Sequence, residues 1–298
     1  MSEHPTDHLV ERAVRRMRTP RAAGLGTAPS RVDLSGASAP ALQQRPSVTI
    51  ETLSRAGAIT VTGRRTRAGE EWQIVAQTLQ RRQLTVSAGS LGTALMVTSS
   101  RPREGKSYCS LNLAVTMAQG GRSDVLLVDV DEKPGNLTDV LGLADRPGLH
   151  DLMTDRTLDP LGVITPTAVK GLDLLTIGRG GEGGGGTGNG ATGRMQGCGR
   201  DISRDLVTIL DHVARQQPDR LLILDTAPCL ASSDAASLAP HVGQIVMIVE
   251  AERTQQGELE SAIGLLSTCE TISLVLNKAR TGTTGHFGSY YDLYGKGW

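Results

Sequence analysis

The sequence predicts an α/β protein built on a doubly wound, mostly parallel β-sheet with helices on both faces. Short segments that are apolar throughout alternate along the chain with longer amphipathic segments. Strands without polar alternation are typical of sheets buried on both sides, and helices between successive strands are typical of parallel crossovers. The 298 residues are 38% hydrophobic and 21% charged, which is enough apolar material for one sizeable core.

The predicted elements follow in chain order. Strands are predicted at residues 94–98, 125–129, 172–177, 220–225, 244–249 and 272–276. Helices are predicted at residues 106–119, 201–216 and 255–268. An earlier helix over residues 70–80 would place Trp72, Val75, Ala76 and Leu79 on one apolar face.

Three regions are predicted from shifts in composition. Residues 1–47 form a basic helix ended by Pro20 and a linker rich in Ala, Pro, Gly and Ser. That helix is either a solvated arm or a docking element for a partner or an acidic membrane surface. Residues 48–285 form the main domain, with its core from about residue 68 and a glycine-rich loop at 178–193. Residues 286–298 form a separate tail.

The overall composition excludes several classes of protein. No apolar run approaches the roughly 18 residues that cross a bilayer. Lys plus Arg and Asp plus Glu both number 31, so no net positive charge would recruit nucleic acid. The four cysteines, Cys109, Cys198, Cys229 and Cys269, lack CxxC spacing and are predicted to be reduced, structural thiols of a cytoplasmic protein.

A phosphate-binding loop is predicted between the first strand and the helix at 106–119. The run from Ser100 to Ser107 follows the GxxxxGK[ST] (Walker A) pattern, with Ser100 in place of the first glycine. Gly105 would permit close approach of a phosphate, Lys106 would neutralise its oxygens, and Ser107 would ligate magnesium. The predicted nucleotide-binding residues are Ser100, Arg103, Glu104, Gly105, Lys106, Ser107, Tyr108 and Asn277. The alternative is an ordinary strand-to-helix turn.

Carboxylates end two of the predicted strands. Asp129 and Asp131 end the strand at 125–129, where residues two apart point the same way. Asp225 ends the strand at 220–225. Ligands of open α/β sheets bind at the carboxyl ends of strands, so the predicted metal ligands are Ser107, Asp129, Asp131 and Asp225. In the alternative, Asp131 only begins a turn.

Three of the four tyrosines, Tyr290, Tyr291 and Tyr294, lie in the last eleven residues among glycines. Aromatic residues of a core would be spread among the strands, whereas a terminal segment offers accessible phenolic hydroxyls. These tyrosines are predicted phosphoryl acceptors, unless the tail is tyrosine-rich by accident.

With these motifs in order, the chain resembles the bacterial tyrosine autokinases of capsule and exopolysaccharide biosynthesis, a branch of the MinD/ParA-like P-loop ATPases. The resemblance covers roughly residues 68–298. It is carried by five blocks: SSRPREGKS with Asn112-Leu113-Ala114 behind it, LLVDVD, Pro147–Met153, LLILDTAPCLASSDA and LVLNK. The opening Leu9–Ala13 is similar to versions associated with exosortase loci.

The resemblance implies a role for each matching position. Lys106 and Ser107 would bind phosphates and magnesium, and Asp129 would be the base or would orient the acceptor hydroxyl. Asp131 and Asp225 would belong to the magnesium network, with Lys106, Asp129 and Asp131 as the catalytic set. Asn277 would contact the nucleobase. The tail tyrosines would receive phosphate within a ring of subunits.

The implied activity is that of a non-specific protein-tyrosine kinase that uses ATP with Mg²⁺ and regulates polysaccharide polymerisation and export. The implied partner is a membrane-anchored co-polymerase, or chain-length adaptor, that holds this cytoplasmic chain at the inner face of the membrane. The resemblance also implies that the subunits form a homo-oligomeric ring. A cognate tyrosine phosphatase is compatible with this role. Nucleic acid is not an expected partner.

The chain departs from the family pattern in three places. Gln73 and Ala76 stand where the helix motif E-x-x-R-x-x-R has arginines, and Lys133 stands where arginine is frequent. The glycine-rich loop occupies the place of a P-x-E-L-L-x-S stretch. A rival interpretation is a MinD/ParA-type ATPase that acts as a spatial regulator without kinase activity. Such ATPases carry a second lysine at the place of Arg101, and that interpretation gives the tail no use.

Overall fold

The computed structural model describes residues 48–59, 66–83, 90–178 and 202–279. All of them fall in one compact unit, residues 44–298. The predicted N-terminal helix and linker, nearly all of the glycine-rich loop, Cys198 and the tyrosine tail lie outside the described residues.

The described residues contain a seven-stranded sheet in the order β3-β4-β2-β5-β1-β6-β7. The strands are β1 Leu95–Ser99, β2 Val125–Asp129, β3 Thr165–Pro166, β4 Leu172–Leu175, β5 Leu221–Asp225, β6 Gln244–Glu250 and β7 Ile272–Asn277. Every neighbouring pair is parallel except β3 with β4, which is antiparallel. The six predicted strands are confirmed to within about two residues.

The helices cover both faces of this sheet. They are α1 Ile50–Arg55, α2 Arg67–Gln83, α3 Lys106–Gln119, α4 Leu137–Val140, α5 Leu149–Thr154, α6 Ile202–Gln216, α7 Asp234–Leu238 and α8 Gln256–Leu265, with a 3₁₀ turn at Ser90–Thr93. The predicted bounds of α3 agree with the structure at both ends. The α/β prediction is therefore confirmed for the described part of the chain.

Alternation along β1 shows why both faces are covered. Leu95 and Val97 belong to one hydrophobic cluster, and Met96 belongs to the other. All three are fully buried, so the strand contributes apolar side chains to two separate layers. This arrangement accounts for the uniformly apolar strands in the sequence.

The described fold begins earlier than the core predicted from about residue 68. Leu53 of α1 is fully buried. The Val48 amide donates to the Pro166 carbonyl at 2.9 Å, and the Val48 carbonyl accepts from the Ala168 amide at 2.8 Å. The sequence did not predict α1, α4, α5, α7 or β3, because elements of two to six residues are too short to show a hydrophobic period.

Three buried thiols support the predicted role of the cysteines. Cys109, Cys229 and Cys269 are free and buried in the described part of the chain. Burial raises the pKa of the Cys109 thiol to about 12, which keeps it protonated and unreactive.

Among the described residues, no helix is both long and apolar enough to span a membrane.

Candidate active site at the carboxyl edge of the sheet

The loop between β1 and α3 has the backbone that the phosphate-binding pattern requires. Gly105 has a φ of +95° and immediately precedes α3. A Cβ atom at Gly105 would lie 2.2 Å from Nδ2 of Asn277, so a larger residue would displace the Asn277 side chain and would also strain the backbone at this positive φ. The N-terminus of α3 therefore opens onto a cavity of about 300 Å³, whose lining includes Gly105, Lys106, Ser107 and Asp131. Free N–H groups at such a helix end favour an anion.

Lys106 is the buried positive charge of this cavity. Its side chain is 8% exposed, and its Nζ lies 3.4 Å from Oδ2 of Asp131. A buried ammonium group needs a counter-charge, and Asp131 supplies one in this structure. A phosphate group entering the cavity would offer Lys106 a competing negative partner.

Asp225 lies at the carboxyl end of β5, directly beside the first turn of α3. Its Oδ1 accepts a hydrogen bond from the Ser110 hydroxyl at 2.9 Å. Its buried Oδ2 has no hydrogen-bond partner in the described part of the chain. Burial raises the pKa of Asp225 to about 6, and the positive charge of Lys106 opposes the shift.

Asp129 is engaged by the chain itself. Its Oδ2 accepts from the Thr138 amide at 2.7 Å and from the Thr138 hydroxyl at 2.6 Å. Its Oδ1 accepts from the Asp131 amide at 3.2 Å. Burial, followed by the nearby charge of Asp225, raises the pKa of Asp129 to about 7.

The two carboxylates of the LLVDVD segment therefore differ in position, and the role implied for Asp129 at the acceptor hydroxyl stays a prediction. Asp131 lines the cavity, whereas Asp129 is absent from its wall and is 2% exposed. Residues two apart would share a face only if the strand continued, but β2 ends at Asp129. Residues 130–132 are not part of a regular strand, and of the two carboxylates Asp131 is the one that lines the cavity.

These raised pKa values predict how stability depends on pH in the absence of nucleotide and metal. The folded protein keeps protons on Asp129 and Asp225 at pH values where unfolded aspartates, with a pKa of 3.8, have lost them. Their contribution to the free energy of unfolding is therefore complete below about pH 4 and is lost as the pH rises to about 7. Urea unfolding would measure the free energies of unfolding of wild type and of Asp129→Asn. As the pH rises from 4 to 7, the free energy of unfolding of wild type should fall relative to that of the variant by up to about 1 kcal/mol per pH unit. A difference that stays constant from pH 4 to pH 7 would contradict the raised pKa of Asp129.

The oxygen ligands at this edge fit a magnesium ion that is shared with a nucleotide. Mg²⁺ binds hard oxygen atoms and usually combines one or two carboxylates with substrate phosphates and water. The unpartnered Oδ2 of Asp225 is such an oxygen, and the Ser107 hydroxyl lies close enough to influence the Asp225 carboxylate. No group of three or more His, Cys, Asp or Glu in the described ranges could hold a metal alone. We propose that Ser107 and Asp225 hold the ion, and the places of Asp129 and Asp131 in the magnesium network stay predictions.

The predicted nucleotide-binding residues divide into two groups. Arg103, Gly105, Lys106, Ser107 and Tyr108 line the cavity. Three others, Ser100, Glu104 and Asn277, are absent from its lining.

The side chains of these three residues make contacts away from the cavity wall or are buried. The Glu104 carboxylate is buried and accepts from the Arg101 amide at 2.8 Å and from the Thr254 hydroxyl. Asn277 donates its Nδ2 to the Glu104 carbonyl at 2.8 Å. Ser100 is fully buried. Their roles in nucleotide binding stay predictions; the observed contact of Asn277 is with the loop, and those of Glu104 are with the loop and with Thr254.

Two residues of the site carried no recognised signal in the sequence. Ser110 lies one helical turn after Lys106 and contacts Asp225 at 2.9 Å. That spacing could have identified it, because residues four apart share a helix face. Thr138 contacts Asp129 from the short helix α4. Nothing in the local pattern distinguishes Thr138 from other polar residues.

A larger cavity, of about 1180 Å³, lies at the opposite edge of the sheet and has Arg122, Lys170 and Arg220 among its lining residues. Its position at the amino ends of the strands argues against it as the reaction site, because ligands of open α/β sheets bind at the carboxyl ends. The smaller cavity is lined by Gly105 of the phosphate loop, the buried Lys106 and Asp131. Chemistry, rather than size, therefore selects it.

The helix that departs from the E-x-x-R-x-x-R pattern is α2. Ala76 is 3% exposed and belongs to a buried hydrophobic cluster, whereas Gln73 is half-buried. Ala76 thus contributes to packing rather than to a charged surface. The effect of these two residues on assembly stays a prediction.

Comparisons with known proteins support the family resemblance that the order of the motifs indicated. No protein-family model matches the chain. EpsB of Ralstonia nicotianae, which carries the provisional name of a tyrosine-protein kinase, is 32% identical over 206 residues, 67% of this chain and 25% of EpsB. The tyrosine-protein kinase YwqD of Bacillus subtilis is 26% identical over 199 residues, 66% of this chain and 77% of YwqD. The chain therefore spans about a quarter of the length of EpsB and about three quarters of that of YwqD.

The solved kinase domain of VpsO superposes on this fold with a TM-score of 0.53 at 25% sequence identity. The superposition covers 78% of this chain and 97% of that domain. The match extends over nearly all of the solved domain, so the sheet and its helices have the same overall arrangement in both proteins.

Proposed function

Because this chain is a homologue of the bacterial tyrosine-protein kinases, we propose that it is an ATP-dependent protein-tyrosine autokinase. In this proposal it phosphorylates tyrosines of its own C-terminal tail and regulates the polymerisation and export of a capsule or exopolysaccharide. The observation that carries the proposal is the buried pair of Lys106 and Asp131, 3.4 Å apart at the mouth of the glycine loop.

The geometry suits phosphoryl transfer, which depends mainly on positioning and on neutralising negative charge. The N–H groups at the start of α3 and the Lys106 ammonium would hold the terminal phosphates. Magnesium, when bound through Ser107 and Asp225, would neutralise charge on the phosphate oxygens. The low exposure of Lys106 and Asp131 keeps water from weakening these interactions.

Asp131 is the group we assign to the acceptor hydroxyl. In the transfer step, the tyrosine oxygen forms a bond to the γ-phosphorus while the bond between that phosphorus and the ADP oxygen breaks. The phenolic proton passes to a carboxylate oxygen of Asp131, from which it reaches solvent. Lys106 is drawn from Asp131 to the phosphates when nucleotide binds, which leaves the carboxylate free for this role.

The acceptors we propose are Tyr290, Tyr291 and Tyr294, which lie outside the described residues. β7 ends at Asn277, and Lys278 contacts the carbonyl of Arg103 in the phosphate loop at 2.7 Å. Tyr290 is twelve positions after Lys278 in the chain. An extended chain of that length reaches about 40 Å at most, so an acceptor could enter the site of an adjacent subunit.

The proposal includes a membrane-anchored co-polymerase or chain-length adaptor that would hold this chain at the cytoplasmic face of the membrane, and a homo-oligomer in which subunits exchange phosphate. The alternative of a non-kinase spatial regulator is not favoured, since the matched relatives are named as tyrosine kinases. It also leaves the tyrosine cluster of the tail unexplained.

The test is to incubate the full chain with Mg²⁺ and ATP, alone and with the cytoplasmic segment of the adaptor, and to map phosphate by mass spectrometry. Wild type should carry phosphate on the tail, and a Tyr290→Phe, Tyr291→Phe, Tyr294→Phe variant should carry no phosphotyrosine. Tyr108 is the one tyrosine left in that variant. The ADP affinity of the triple variant should equal that of wild type, and this measurement shows that the variant is folded. A wild-type tail without phosphate under both conditions would refute the proposed function.

A further inference from the structure

The back of the phosphate loop is tied to the end of β7 by two side-chain contacts. Asn277, the last residue of β7, donates its Nδ2 to the Glu104 carbonyl at 2.8 Å. The adjacent Lys278 donates its Nζ to the Arg103 carbonyl at 2.7 Å. Two consecutive carbonyls of the loop therefore point towards Asn277 and Lys278, which do not line the phosphate cavity.

The geometry of the trans peptide group determines where the amides of the loop point. The C=O and N–H of one trans peptide point in opposite directions. Holding the Arg103 carbonyl on the β7 side therefore aims the Glu104 N–H the other way. Holding the Glu104 carbonyl does the same for the Gly105 N–H. Both amides then point to the side on which the cavity lies.

The strain of the backbone is concentrated at this contact. Arg103, Glu252 and Lys278 are the non-glycine residues of the described chain with positive φ, at 68°, 62° and 58°. Arg103 and Lys278 contact each other directly, and Glu252 belongs to the turn between β6 and α8. Such conformations are unfavourable for residues that have a Cβ atom and persist only where the surroundings hold them.

The β6–α8 turn supplies that support. Oε1 of Glu250 lies 3.2 Å from Nζ of Lys278 and so holds the lysine in place. The Thr254 hydroxyl accepts from the Glu250 amide at 3.0 Å and donates to the Glu104 carboxylate. The loop is thus bound through its carbonyls to β7 and through a side chain to this turn.

We propose that Asn277 and Lys278 are positioning residues that orient the Glu104 and Gly105 amides of the phosphate loop towards a bound phosphate. The inference deepens the proposed function and rests on the nucleotide site assigned there. It gives Asn277 a role different from the nucleobase contact implied by the family resemblance. A loop-orienting residue acts on every ligand that has a phosphate, whereas a base-contacting residue acts only on ligands that have a base.

This difference defines the experiment. Affinities of the full chain for Mg-ADP and for Mg-pyrophosphate would be measured by displacement of a fluorescent ADP analogue. The variants are Asn277→Ala and Lys278→Met, with Lys278→Arg as the conservative rescue. Lys170→Met is the matched control, because Lys170 is an exposed lysine at the opposite edge of the sheet.

In each of the variants Asn277→Ala and Lys278→Met, the affinities for ADP and for pyrophosphate should fall by the same factor. That factor should be on the order of tenfold. Lys278→Arg should restore binding to within about threefold, because it still offers a charged donor. Lys170→Met should bind as wild type does. The thermal unfolding midpoints of Lys278→Met and Lys170→Met should agree, since the contact orients a loop rather than filling the core.

Unchanged pyrophosphate affinity in Asn277→Ala and Lys278→Met would overturn the inference, even with ADP affinity reduced. Absence of pyrophosphate binding by wild type would overturn it too. Both outcomes differ from failure of the proposed kinase function, in which the tail stays unphosphorylated although Mg-ADP and Mg-pyrophosphate bind as expected.

Discussion

Replacing Lys106 with methionine is expected to lower the rate of phosphotyrosine formation by roughly 10²–10³-fold. Lys106 is the buried positive charge at the start of α3 and is 8% exposed. Preorganised charge in a site shielded from water stabilises a developing negative charge far better than charge in solvent does. Methionine keeps much of the apolar volume of the stem but cannot neutralise a phosphoryl group. Initial rates with labelled ATP would measure the loss.

Lys170→Met again serves as the matched control, because it removes one lysine charge far from the cavity. It should keep the wild-type rate. A second control is the unfolding midpoint, which shows that Lys106→Met is folded. Phosphotyrosine formation at the wild-type rate in folded Lys106→Met would exclude the loop as the site of transfer.

Replacing Asp131 with asparagine is expected to lower the turnover rate roughly 100-fold or more while leaving metal-free ADP binding intact or stronger. Asp131 lines the cavity and holds Lys106 when no nucleotide is bound. Losing a proton-accepting group typically costs a factor of this size. Breaking the ion pair frees Lys106 for the phosphates, which is why binding without metal should not suffer. Single-turnover kinetics and ADP titration in EDTA separate the two effects.

Asp129→Asn is the informative comparison. The Asp129 carboxylate accepts from Thr138 and from the Asp131 amide, and it does not line the cavity. Its replacement should perturb stability and its pH dependence more than the transfer step. If folded Asp129→Asn instead lost more turnover than Asp131→Asn, the base would be Asp129, as the family resemblance implies.

Long elements were predictable because their burial repeats over many residues. The helix at 106–119 was predicted with its observed bounds, since the strand, the GKS motif and the following apolar residues all mark its start. The two-residue strand β3 and helix α1 were not predicted. Their positions depend on contacts between distant segments, such as Val48 with Pro166, that no local pattern encodes.

The candidate site could be predicted as a set of residues but not as a geometry. The loop motif and the aspartates at strand ends identified Lys106, Asp131 and Asp225, which the structure brings together. The sequence assigned Asp129 and Asp131 equivalent orientations, and the end of β2 at Asp129 separates them. Ser110 and Thr138, which bind the carboxylates, were missed because their roles depend on which side chains face them.

The sequence by itself determined the fold class, the phosphate loop and the acidic strand ends, because each is encoded within a few consecutive residues. Only the tertiary structure decided which aspartate faces the cavity and which is held by Thr138. It alone showed that Asn277 and Lys278 bind the loop from 173 and 175 residues away. The physical reason is that burial and hydrogen bonding set the role of a polar group, and both depend on neighbours brought together by folding.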